Sequence, residues 1–99
     1  MTRKEYNDKL DLIKQKYDNE INKLRRDYAL SNNPYRIGDI IEDAAERIKI
    51  EEIGVIMYGS TPICLYYGSE LRKSDNSPKT NGSKRSIWQV YVKRKIEIL

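Results

Sequence analysis

The sequence predicts an α+β chain: a long N-terminal amphipathic helix followed by a small, mainly antiparallel β module. Three observations predict it. Residues 2–30 contain neither glycine nor proline, and seven apolar residues recur along them at helical spacing. From Tyr35 onward the apolar residues alternate instead with polar ones, in runs separated by clusters of Gly, Pro, Ser and Asn. A chain of 99 residues holds one domain, here divided into a helix over 1–33 and a module over 34–99.

Tyr6, Leu10, Ile13, Tyr17, Ile21, Leu24 and Tyr28 follow one another at steps of three and four residues, which places them on one helix face. Thr2 followed by Glu5 has the spacing of a capping box, and Ser31-Asn32-Asn33-Pro34 supplies a polar stop closed by a proline. The pairs Glu5/Lys9, Lys14/Asp18, Lys16/Glu20 and Lys23/Asp27 set opposite charges four residues apart, each worth about 0.3 kcal/mol. At ~1.5 Å per residue the helix is about 43 Å long, longer than the module is wide. The mean step of about 3.67 is nearer to a straight helix or an 11-residue repeat than to a left-handed coiled coil. This face is the candidate helix interface, for self-association or for docking to a larger assembly.

In the module, Ile48 and Ile50 alternate with charges, and Ile53, Val55 and Met57 resume the alternation after Glu51-Glu52. That predicts a strand with a bulge or break at the polar pair. Pro62 to Tyr67 and Ile87 to Val92 read as two further strands, the latter with Trp88, Val90 and Val92 in phase. Arg72 to Ser83, rich in Ser, Asn, Asp and Gly, is a polar loop or hairpin tip. The tail, through Ile96 and Ile98, predicts a short terminal strand. Residues 36–49 allow two readings: a short helix opened by Asp39 and Glu42 at capping-box spacing, or a strand.

On the strand reading, Ile37-Gly38-Asp39-Ile40-Ile41-Glu42-Asp43 resembles the opening strand of a small barrel of the SH3-like kind, where a glycine and then an acidic residue start the sheet. With the alternating runs that follow, about 65 residues resemble an SH3-like or KOW/Tudor-like module. The resemblance implies a mainly antiparallel SH3-like β-barrel and no particular ligand-binding residue.

The net charge of +4 conceals an uneven distribution. Residues 37–52 carry six acidic residues against two basic ones, whereas 72–95 carry Arg72, Lys73, Lys79, Lys84, Arg85, Lys93, Arg94 and Lys95 against Asp75 alone. The basic block is a candidate patch for DNA or RNA through phosphate neutralisation, with Trp88 and Tyr91 nearby for stacking. The phase of Trp88 with Val90 and Val92 favours burial instead. Tyr66 and Tyr67 point to opposite faces of a strand, so one is buried while its neighbour is displayed. Together with Tyr35, Tyr58 and Tyr91 they form a candidate aromatic surface for peptide or base recognition, the alternative being aromatic packing within a small twisted sheet.

Catalysis has little to stand on. The chain has no histidine and one cysteine, which removes the usual neutral-pH base, an internal disulfide and a multi-cysteine zinc site. Cys64, between Ile63 and Leu65, reads as a small buried hydrophobe, and the carboxylates Asp39, Glu42, Asp43 and Glu46 as a solvated face. No catalytic residue, metal ligand or cofactor site is expected. No apolar run has the length of a membrane span and Met1 to Tyr6 is charged, so the expectation is a cytoplasmic chain with no membrane association. The function expected is noncatalytic binding or assembly, as a homo-oligomer or part of a larger protein assembly, with the β module presented to a protein partner. The alternative is a small oligomeric nucleic-acid-binding protein using residues 72–95.

Overall fold

The computed structural model describes residues 1–79 and 82–97. Helix α1 spans Arg3–Ser31. Thr2 caps it, its Oγ1 accepting the Glu5 N–H at 3.2 Å. At the other end the Ser31 hydroxyl and the Asn32 side-chain amide both donate at 2.9 Å to the Tyr28 carbonyl, which also accepts the Asn32 backbone N–H at 3.3 Å, so side chains tie off the last turn.

Among the described residues five strands follow: β1 (Ile40–Glu42), β2 (Arg47–Tyr58), β3 (Thr61–Leu71), β4 (Lys84–Trp88) and β5 (Arg94–Ile96), with one 3-10 turn over Gln89–Tyr91. They form a single antiparallel sheet of order β4-β3-β2-β1-β5. The α+β class is as expected. The closed barrel is not: β4 and β5 stand at opposite edges of an open sheet. The 3-10 turn interrupts the apolar run from Ile87 to Val92 and leaves β4 ending at Trp88. Ile98 and Asn81, read as parts of the tail strand and the polar loop, lie outside the described residues.

Residues 36–49 form no helix. Ile40 and Ile41 pair with Lys49 and Ile48, and a tight turn joins β1 to β2, with Asp43 Oδ1 accepting the N–H groups of Ala45 and Glu46 at 2.8 and 2.6 Å. An Asx turn of this kind diverts the chain before a helix can propagate. Burial of Ile40, Ile41 and Ile48 against the sheet decides the matter.

The bulge in β2 falls at the polar pair. Ile50 lies opposite Gly68 and Glu52 opposite Tyr67, leaving Glu51 unpaired. The extra residue shifts the alternation by one, so Ile48 and Ile50 before it face the same side as Ile53 and Val55 after it. That side is the core, built from Ala29, Ile41, Ile48, Ile50, Cys64, Tyr66 and Ile87, with Tyr35, Ile53, Val55 and Val92 packed against it.

Candidate interaction surfaces

The helix touches its own sheet over a short stretch near its C-terminus. Ala29 is its one buried residue, and the Cys64 thiol donates to the Ala29 carbonyl at 3.5 Å. Asn22, Arg25 and Arg26 border a cleft whose other wall is Val55, Ile56 and Met57. On a helix turning about 100° per residue, the face through Asn22, Arg25 and Ala29 lies about 110° around from the apolar stripe. The stripe therefore looks away from the sheet. Tyr6, Tyr17 and Tyr28 are half or more exposed, Ile13 and Leu24 are 66% and 70% exposed, and only Leu10 and Ile21 are partly covered. With long dimensions of 68 × 28 × 22 Å, the chain is a compact sheet with a helical arm.

The basic block and the acidic segment meet one another. Lys79 reaches the buried Glu70 at 2.6 Å, and Arg85 lies 3.4 Å from both Glu70 and Glu46. Lys84 pairs with Glu51 at the bulge, where Ser69 also donates. Arg94 pairs with Glu42, and Lys95 lies 3.6 Å from Asp39. The two charge clusters read from the sequence are thus largely one intramolecular network, made when β4 and β5 return to the sheet. Lys73 and Lys93 are exposed, Arg72 is exposed as well, and the Lys73 carbonyl is held by Arg47 at 3.1 Å.

Glu42 is the centre of this network. Hydrogen bonds from Arg94 and then Arg47 hold its carboxyl below the usual carboxylate range, against an opposing push from burial. The Lys84 hydrogen bond, followed by that of Ser69, lowers Glu51, and the Lys79 bond lowers Glu70. All three carboxylates are held ionised as structural acceptors. Among the described residues no group of three or more His, Cys, Asp or Glu side chains is placed to hold a metal ion, and no helix is long and apolar enough to cross a membrane.

The aromatic surface differs from the one expected. Tyr66 is fully buried: its hydroxyl donates to Asn33 Oδ1 at 2.5 Å, its ring meets Tyr35 edge-on, and burial raises its pKa. Tyr67, on the other face of β3, is exposed, as is Tyr91. Trp88 is not in the core. It stands 36% exposed on the outer face across from Leu65, its ring edge-on to Tyr58 at 6.3 Å and tilted to Tyr91 at 5.9 Å. The 3-10 turn takes Val90 and Val92 out of the strand alternation, so their phase with Trp88 carries no information about its face. The outer aromatic cluster is thus Tyr58, Trp88 and Tyr91.

Asn33 and Arg47 were not legible as key residues. Asn33 lies in what reads as a polar stop, yet its side chain ties Tyr66 to the linker and closes on the Tyr35 backbone at 2.8 and 3.0 Å. Cys64 is buried, and desolvation raises its pKa. Compared with protein-family models, curated proteins and solved structures, the chain matches none.

Proposed function

We propose that this chain is a noncatalytic assembly protein that joins its partner through the apolar stripe of α1 and presents the β module from the end of that arm. The observation that carries the reading is the stripe itself: an apolar face running from Tyr6 to Tyr28 that its own sheet does not cover. An isolated helix with so much exposed apolar surface is stabilised chiefly when that face is buried. Tyr58, Trp88 and Tyr91 give the module an aromatic rim suited to a protein partner.

The open sheet is read as an SH3-like module without barrel closure. Its support is the strand order, with β5 returning beside β1 after a 3-10 turn, and the bulge in β2 at Glu51. Nucleic-acid binding through residues 72–95 is the weaker reading, because Lys79, Lys84, Arg85, Arg94 and Lys95 are engaged by carboxylates. Phosphates would have to compete for them.

The test is the solution mass of the chain with and without Ile13→Asp and Leu24→Asp. Both residues are exposed in the single chain, so the fold should survive, whereas in an interface the new carboxylates would cost several kcal/mol. The expected result is an oligomer that the double variant dissociates. A native monomer at micromolar and higher concentrations, with no protein recovered through the stripe, defeats the reading.

A further inference from the structure

The stripe reads the same in both directions. Tyr6, Tyr17 and Tyr28 are spaced by 11 residues, with Leu10 and Ile13 between the first pair and Ile21 and Leu24 between the second. A twofold axis at Tyr17 therefore sets Tyr6 against Tyr28 of a second copy, Leu10 against Leu24, Ile13 against Ile21, and Tyr17 against itself. Apolar pattern alone does not separate this antiparallel pairing from a parallel one in register, since both match like with like.

The charges bordering the stripe separate them. On one border stand Lys9, Lys16, Glu20 and Asp27, basic toward the N-terminus and acidic toward the C-terminus. In an antiparallel pair each border faces its own copy reversed, which brings Lys9 to Asp27 of the second copy and Lys16 to Glu20. On the other border the same operation brings Lys14 to Asp18 and Asn7 to Arg25. Every facing pair is of opposite sign or includes a neutral residue. In a parallel pair each border faces the opposite border about five residues on. Lys9 then meets Lys14, and this repulsion opposes the one attraction, Glu20 with Arg25.

Resting on the assembly reading above, we infer that the partner of α1 is a second copy of this chain, packed antiparallel about Tyr17. Five of the seven stripe side chains are half or more exposed, a continuous apolar face that a second copy would bury. The sheet, docked about 110° from the stripe, leaves the path of the second helix open. Because it docks near Ala29, the two modules fall at opposite ends, with their Ala29 positions about 36 Å apart along the axis. The dimer displays two aromatic rims on one rigid rod.

Two experiments on the full chain test the orientation. Leu10→Cys and Leu24→Cys are made separately, then oxidised with diamide alone and mixed. The native Cys64 is buried and contributes no crosslink. A disulfide-linked dimer should form in the mixture and in neither variant alone. In parallel, Lys9→Glu should weaken the dimer about tenfold at low salt, with Lys9→Glu plus Asp27→Lys restoring it. Homodisulfides in either single variant, or a dimer that Lys9→Glu tightens, overturn the antiparallel arrangement while leaving self-association standing. A wild-type chain that is monomeric at micromolar and higher concentrations overturns both.

Discussion

Arg47 and Glu42 face each other across the turn from β1 to β2, guanidinium Nη2 2.9 Å from carboxylate Oε2, and both are at least nine-tenths buried. The same guanidinium donates through Nη1 to Asn76 Oδ1 at 2.7 Å and to the Lys73 carbonyl at 3.1 Å. One cation thus ties the first hairpin to the loop after β3. That loop includes Asn76 at φ 62, a left-handed conformation that asparagine tolerates.

Arg47→Met should cost about 3 kcal/mol, because it strips a buried carboxylate of one of its two cations and leaves the loop acceptors unpaired. Arg47→Lys keeps the charge, yet one ammonium on a flexible stem cannot serve Glu42, Asn76 and Lys73 together. It should recover less than half of the loss. Urea unfolding curves of the three proteins decide this, and a lysine variant as stable as wild type rules out the clamp.

How far the sequence foretold this structure depends on the range of the interaction. The helix and its Thr2 cap are local, and both follow from spacing within one turn. The bulge was legible because Glu51-Glu52 breaks an alternation that resumes out of phase. Arg47, Asn33 and Glu70 act across 26, 33 and at least nine residues of chain, and no local pattern encodes such a partner. Trp88 shows the converse: the period of two in its neighbours breaks at Gln89–Tyr91, which the chain uses for a 3-10 turn. The charge clusters are separate along the sequence but not in space, since antiparallel pairing brings them together.

Acid should destabilise the fold through the paired carboxylates. Glu42, Glu51 and Glu70 all have folded-state pKa values below their ordinary ones, so the native chain binds fewer protons than the unfolded chain as pH falls. Their contribution is complete above the unfolded value of about 4.3 and disappears as pH drops through the folded values. Glu42→Gln should lower stability at neutral pH and flatten the acid dependence. Melting temperatures measured from neutral pH down to about pH 3 check both parts; identical acid profiles for variant and wild type would remove Glu42 from the account.

Gly68→Ala should be among the most damaging single-methyl changes in the chain. A Cβ there would sit 1.7 Å from the Lys49 carbonyl oxygen, at the point where the bulged strand closes on β3, and both neighbours are backbone. The strands must separate, at a cost of about 3 kcal/mol or more. Gly54→Ala is the control, since its Cβ would meet the Tyr67 ring at an ordinary 3.5 Å. Equal stability of the two variants by chemical denaturation contradicts the close approach.

Trp88 distinguishes a rim from a core. A fully buried tryptophan replaced by alanine typically costs about 3–5 kcal/mol. Here the ring is partly exposed and held by edge contacts to Tyr58 and Tyr91 while it shields Leu65. Trp88→Ala should therefore cost about 1–2 kcal/mol, from two aromatic contacts and the exposure of Leu65. As the one tryptophan in the chain, it reports its own environment: native fluorescence should be intermediate in wavelength and quenched by acrylamide, less freely than in urea. Emission inaccessible to acrylamide, with a loss of stability in the full core range, would return Trp88 to the interior. If the rim receives a protein partner, the same variant weakens that binding while thermal unfolding stays cooperative, because the contacts it loses lie on the outer face and the core from Ala29 to Ile87 remains packed.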